Sequence, residues 1–305
     1  MSATTPERRS GATTPERRSV SAMRRRALRD GLAIAGLLFG IAILAVGGPA
    51  RQTLGADAYA YWAVDIDHPY AQTVGSIGAF LYSPVIARLF APAALLPWPA
   101  FWALWLALLV ATVVWLGGRR VLLVLAFPPV LIELYYGNVN LLIAAAIALG
   151  FRYPAAWAFV LLTKVTPGVG LLWFAVRREW RSLAIALGAT AGLVAVSLLV
   201  DGRLWPDWVA TAGRAAPPAG QTLEVPLWIR LPIAAALVAW GARTDRRWTV
   251  VVGATIALPV LWLATATSVL AALAAIDRPE LGGQRAPATP GAPATDRPPL
   301  IAETA

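Results

Sequence analysis

The 305-residue chain contains no cysteine, one histidine (His68) and one lysine (Lys164). Without thiols there is no disulfide framework, no thiolate metal site and no cysteine nucleophile, and a single imidazole cannot form a cluster of ligands. Charge is scarce as well: Asp, Glu, Lys and Arg make up 14% of the residues, against about 25% in a soluble domain. The place of charge is taken by apolar residues, 58% of the chain, where about 45–50% is usual. They fall in long runs at Gly31–Ala50, Ala100–Gly118, Val121–Tyr135, Leu183–Val200 and Val250–Ile276. About 20 such residues span a bilayer. The composition excludes a soluble enzyme and predicts an all-α polytopic membrane protein.

The net charge of +10 would suggest a nucleic-acid partner if it formed one patch. It does not. Half of it lies in residues 1–30, and the rest forms short clusters between apolar runs: Arg119-Arg120, Arg177-Arg178 with Arg181, and Arg243 with Arg246-Arg247. This is the positive-inside pattern of a membrane protein, so no nucleic acid is expected and the N-terminus is placed in the cytoplasm.

Residues 1–30 repeat ATTPERRS at 3–10 and 12–19 and are rich in Pro, Ser and Arg; they predict a disordered basic tail. Residues 277–305, with six prolines, predict a second disordered tail. Between them, residues 31–276 form the transmembrane domain, with outer loops at about 51–97 and 201–226. Spans are expected at about 31–50, 98–118, 120–136, 138–151, 182–200, 226–242 and 249–276, the last kinked or divided by Pro259. The stretch 154–176 is expected to be re-entrant, bending at Thr166-Pro167-Gly168, because a full crossing would put Arg177-Arg178 outside. Irregular backbone inside a membrane is tolerated where it lines a protein cavity, so the break points at a site. The first outer loop, with Tyr59, Tyr61, Trp62, Tyr70, Phe80 and Tyr82 as interfacial aromatics and Ile86, Leu89 and Phe90 at helical spacing, predicts one or two amphipathic helices on the outer surface.

Polar residues inside spans are costly and mark function. Lys164 sits far from either apparent surface and suggests a compact cation aimed at an anion, with a snorkelling lysine at a helix end as the alternative. Asn138 and Asn140 flank a turn at Gly137 and either orient a polar ligand or join helices. Glu133, one turn before Tyr136-Gly137-Asn138, either pairs with a cation or accepts from neighbouring backbone, or, as the favoured reading, faces water near the outer end of its span. Asp57 follows the first span under aromatic cover, where burial would raise its pKa and make it a competent base. Asp65-Ile66-Asp67 has the form of a metal-binding DxD but reads more simply as an exposed acidic turn.

Asp57 with Tyr59 and Tyr61, Pro69-Tyr70, and Phe80-Leu81-Tyr82-Ser83-Pro84 together resemble the first outer loop of the family 87 glycosyltransferases. Gly137-Asn138-Val139-Asn140-Leu141-Leu142 is similar to that family's Gly-Gln-x-Asn-Leu-Leu segment, and Lys164-Val165-Thr166-Pro167 to its Lys-x-x-Pro segment ahead of a basic turn. The resemblance implies a GT-C-like bundle, here of about eight spans including short or re-entrant helices. It also implies an inverting α-mannosyltransferase of the plasma membrane. Such an enzyme, in actinobacteria, takes mannose from polyprenyl phosphate to a lipid-linked or glycan acceptor on the outer face. On that scheme Asp57 is the catalytic base and Lys164 meets the donor phosphate, with Arg230 as a second phosphate contact. Tyr59, Tyr61, Trp62, Tyr82, Asn138 and Asn140 bind substrate, and neither metal nor cofactor is required. The alternatives are a transporter or flippase of a lipid-linked sugar, and a non-catalytic relative acting in assembly.

The Arg clusters generate a topological prediction. With cysteines placed singly in this cysteine-free chain, Arg178→Cys should resist an impermeant thiol reagent added from outside; labelling there would refute the re-entrant assignment.

Overall fold

The computed structural model describes residues 15–51, 53–214, 225–262 and 266–281, and every regular element among them is helical. Residues 1–14, with the first copy of the repeat, and 282–305, most of the Pro-rich tail, lie outside the described residues. The first helix, α1, runs Pro15–Arg51 over 37 residues and so takes in the second half of the stretch expected as a disordered tail. The reason is local: Pro15 suits the first turn of a helix, and the following Arg, Ala and Leu residues are good helix formers. The same helix carries the apolar run 31–50.

Beyond it, the expected spans are only partly whole helices. By length and hydropathy, two stretches among the described residues suffice to cross a bilayer: Trp98–Leu125 and Trp180–Asp201. A third exists only if Pro128–Tyr136 and Asn140–Gly150, bent by 118° to one another, count as one. The remainder is broken by its own sequence. Within Trp98–Leu125, α4 (Trp98–Gly117) ends at Gly118 (φ 47, ψ −123), and α5 (Val121–Leu125) packs back against α4. Pro128-Pro129 then divides the expected 120–136 span, because proline offers no N–H and pushes Phe127 into an extended conformation (φ −79, ψ 109). The chain resumes as α6 (Pro128–Tyr136) and α7 (Asn140–Gly150). At 11 residues α7 is about 16 Å long, half a bilayer.

The stretch expected as the first outer loop holds α2 (Ala56–Trp62) and α3 (Pro84–Phe90), each seven residues long. They are docked more deeply than surface helices: Tyr61 and Phe80, expected at the interface, are buried, as are Ile86 and Phe90, and Leu89 alone of its trio is exposed. The stretch 154–176 divides into α8 (Trp157–Thr163), a 3-10 segment Thr166–Leu171 and α9 (Leu172–Val176). Its break falls at Lys164, in extended conformation (φ −142, ψ 113), just before the expected bend. After α10 (Trp180–Asp201) the stretch expected as the second outer loop contributes α11 (Leu204–Arg214). Then α12 (Leu227–Arg243) and α13 (Trp248–Ile256) lead to the irregular stretch around Pro259 and a 3-10 segment Ala266–Ala274, so Pro259 divides the last expected span.

The short α7 is the centre of the packing. Eight of its residues are buried, and it lies against α4, α8 and the 266–274 segment. By contrast α10 exposes Leu193, Val196, Leu198, Leu199 and Val200. An apolar helix with an apolar outer face is solvated by lipid. The inner elements are therefore the short, interrupted ones, and the long helices surround them.

An ion pair fastens α3 to α10. Arg88 on α3 donates Nε to Asp201 Oδ2 at 2.9 Å and Nη2 to Oδ1, a bidentate pair at the end of α10. The Asp201 side chain is 5% exposed and that of Arg88 50%, so the two partners are not equivalent. Arg88→Met strands a buried carboxylate and should cost about 3–5 kcal/mol. Asp201→Asn leaves a cation that reaches water and should cost clearly less. Thermal unfolding of both variants in detergent reads the order.

Candidate functional site

The site is built where α2 meets the α6–α7 turn and the break after α8. Residues 57 and 61 lie one turn apart on α2 and share a face, whereas 59 and 62 point elsewhere. Asp57 is half-buried and Tyr61 fully so. The Tyr61 hydroxyl lies 3.1 Å from that of Tyr82, and its ring stacks on Phe90 at 4.8 Å between centroids. On the other face Tyr59 and Trp62 pack on Trp98, with centroids 5.4 and 5.6 Å away. There Trp62 Nε1 donates to the Leu96 carbonyl at 2.8 Å.

The turn that brings Asn138 to Asp57 depends on Gly137. Its φ of 70° is left-handed, and a Cβ there would stand 2.8 Å from the Ala58 Cβ and 2.7 Å from the Trp102 ring. Only glycine meets both demands. Trp105 Nε1 donates to the Gly137 carbonyl at 2.7 Å, and the Gly55 N–H donates to the Tyr135 carbonyl at 2.9 Å, fixing α2 beside α6. Asn138 Nδ2 then donates to Asp57 Oδ2 at 2.8 Å.

The next asparagine faces the cation. Lys164 Nζ donates to Asn140 Oδ1 at 2.6 Å, and Asn140 Nδ2 donates to Glu133 Oε2 at 3.2 Å. Glu133 Oε1 accepts from the Leu141 N–H at 3.3 Å. Lys164 reaches inward because α8 stops one residue before it. Among the described residues no ion pair within 4.0 Å joins Lys164 to Asp57 or Glu133. Two carboxylates and one ammonium therefore share a site through amide side chains, without direct neutralisation.

Electrostatics around Asp57 follow from this packing. Although part of its surface is open, the dense surroundings desolvate the carboxyl and raise its pKa; the Asn138 hydrogen bond and the Lys164 charge pull the other way. Burial likewise raises the pKa of the phenols of Tyr61 and Tyr82, with Asp57 and Glu133 adding to the effect on both. Both stay neutral hydroxyls. Several buried polar atoms near the chain breaks have no hydrogen-bond partner among the described residues: Asn138 Oδ1, Ser83 Oγ, Thr163 Oγ1 and Thr166 Oγ1.

Of the residues singled out from sequence, Asp57, Asn138, Asn140 and Lys164 come together, with Tyr61 and Tyr82 beside Asp57. Tyr59 and Trp62 do not, because helical geometry turns them to the opposite face. There Tyr59 lines a shallow surface pocket of about 170 Å³ with Leu54, Ala56, Ile77 and Trp98. Arg230 is occupied by backbone: it donates to the carbonyls of Val225 (2.7 Å), Ile256 (2.6 Å), Leu258 (2.8 Å) and Pro259 (3.1 Å). It clamps the chain after α13 in place of a phosphate. Asp65 accepts from the Asp67 N–H at 2.9 Å, which lowers its pKa, and Asp67 pairs with Arg203 at 2.8 Å, so this acidic turn is tied to the surface. For Glu133 the structure overturns the favoured water-facing reading and bears out the alternative, acceptance from neighbouring backbone. Glu133 is 0% exposed, and its isolation as the only acid between Asp67 and Glu179 was the available signal.

A sequence model of glycosyltransferase family 87 matches residues 80–284, more than half of the chain. The chain belongs to glycosyltransferase family 87. No curated protein and no solved structure matches it significantly. The family 87 match takes in Tyr82, Glu133, Asn138, Asn140 and Lys164, while Asp57 lies upstream of it. A family 87 glycosyltransferase acts on a sugar donor and an acceptor in the presence of membrane lipids.

Proposed function

We propose that this family 87 glycosyltransferase moves a mannosyl residue from polyprenyl phosphate to a lipid-linked or glycan acceptor at the outer face of the plasma membrane, with the broken inner helices forming a GT-C-like bundle of about eight spans. The observation that carries the reading is the meeting of Asp57 and Lys164 at one site without an ion pair between them. A base paired to its cation would be neutralised. Kept apart by Asn138 and Asn140, each remains available to a different part of the substrates.

In this mechanism the acceptor hydroxyl gives its proton to Asp57 as its oxygen bonds to C1 of the mannosyl group. The bond from C1 to the phosphate oxygen breaks, and the phosphate leaves with the electron pair. Displacement in one step inverts the anomeric centre. A phosphate is already a good leaving group, so an ammonium that stabilises its charge can stand in for a general acid. The half-buried position of Asp57 opens it to an acceptor, and the neutral hydroxyl of the partly buried Tyr82, backed by that of the buried Tyr61, would meet a sugar oxygen. The polyprenyl chain remains in the bilayer.

Purified protein should transfer radiolabelled mannose from polyprenyl phosphate to a lipid extract. Asp57→Asn keeps shape but cannot take a proton, so turnover should fall by about 10²–10⁴ with donor binding retained. Lys164→Met should weaken donor binding by about 1.5–3 kcal/mol, and Lys164→Arg should restore it only in part, since a planar fork does not replace a point charge. Mannose transport without transfer in the parent protein would favour the flippase reading.

The raised pKa of Asp57 sets the sign of the pH dependence. A base must be deprotonated, so activity should fall with acid through a pH above the ordinary carboxylate range. Asn138→Leu removes a hydrogen bond that favours the charged form, and the acidic limb of kcat/KM should move to higher pH. An unmoved or lowered limb would separate Asn138 from the base.

A further inference from the structure

Glu133 is buried completely, on the last turns of α6, and its carboxylate crosses the 118° bend to the start of α7. Oε1 accepts from the Leu141 N–H at 3.3 Å, and the backbone of Asn140 adds a further hydrogen bond. No side chain at the N-cap position, Val139, serves these groups. The first N–H groups of a helix have no partner within it, and an anion is favoured at that end. So far the role is structural.

The side chain of Asn140 adds a second link. Its amide has distinct ends: Nδ2 donates to Glu133 Oε2 at 3.2 Å, which turns Oδ1 toward Lys164 Nζ at 2.6 Å. Flipping the amide would set its NH₂ against the ammonium and its oxygen against the carboxylate, two repulsive contacts. The carboxylate thus selects the amide orientation that receives the lysine, and it balances the ammonium's charge from one residue away.

We propose that Glu133 is a positioning residue for an anionic substrate group: through Asn140 it aims Lys164 at a phosphate while leaving the ammonium out of a direct ion pair. The proposal rests on the reading of Lys164 as the donor-phosphate contact. Glu133 touches no substrate, so it acts only through the lysine. Its removal should matter only while Lys164 is present.

That condition separates positioning from folding. The probe is decaprenyl monophosphate, titrated into the full-length protein in detergent micelles and followed by tryptophan fluorescence, with a melting curve for every variant. Glu133→Gln retains size and an acceptor for the Leu141 N–H but loses the charge. It should weaken binding about tenfold, a charge-assisted hydrogen bond's worth. In a Lys164→Met background the same change should have no further effect. Asn140→Leu cuts the link while leaving the Glu133–Leu141 bond, and should behave as Glu133→Gln does, which keeps the test decisive if the glutamine variant folds poorly. Wild-type affinity in either folded variant overturns the proposal, as does a loss that adds in full to that of Lys164→Met. If the parent protein and Lys164→Met bind the probe equally or not at all, the donor-phosphate reading falls first and the role of Glu133 with it.

Discussion

The bend at Gly137 is the constraint on which the site depends. It turns α6 into α7 by 118°, and at that corner the chain presents Glu133, Asn138 and Asn140 in three directions. Asn138 faces Asp57 on α2, Asn140 faces Lys164 at the end of α8, and Glu133 secures the first turn of α7. The close approach of Ala58 and Trp102 to the glycine fixes the distance between α2 and the α6–α7 turn. A residue with a side chain there would push α2 outward and carry Asp57 away from Asn138. Local backbone geometry and the placing of the base are therefore one requirement.

The second principle is indirect pairing of buried charge. Placing ions in a low-dielectric interior is costly, and a direct salt bridge offsets that cost at the expense of reactivity. Here primary amides intervene. Each asparagine offers a donor to a carboxylate, Asn138 to Asp57 and Asn140 to Glu133, and Asn140 alone also accepts from the ammonium. Lys164 and Asp57 are both partly buried, but the ammonium has its acceptor in Asn140, whereas Asn138 Oδ1 has no partner among the described residues. The Asp57 side of the site is the less satisfied one.

Much of this was legible in the sequence for a definite reason. Apolar runs and Arg clusters report membrane class, because lipid solvation acts on composition. Single polar residues in those runs, Lys164 and Asn140, report the site, because each is costly unless used. The helix faces of the outer loop were less legible. Tyr59, Tyr61 and Trp62 read alike as aromatics, and only the docking of α2 on Gly137 and Trp105 decides that Tyr61 turns inward with Asp57. Arg230 shows the opposite error. A lone arginine at the start of a span suggests an anion, but the unpaired carbonyls that follow α13, where Pro259 prevents further helix, are an equally strong demand and lie far along the chain.

The division of the apolar runs into helices was hard to read for a related reason. Hydropathy measures whether a stretch can lie in lipid, not whether it is one helix. Pro128-Pro129, Lys164 and Pro259 each interrupt an apolar run, and the resulting pieces are too short to cross alone. Such pieces survive only inside a shell that hides their unpaired backbone groups. Longer helices such as α10 supply that shell, and the broken ones meet within it. The helix ends that a membrane protein would otherwise avoid then become its means of placing polar groups: a chain that stops at Lys164 or turns at Gly137 delivers a charged or amide side chain to the interior. Breakage and function have the same cause, and the most interrupted part of the apolar sequence is where the polar cluster lies.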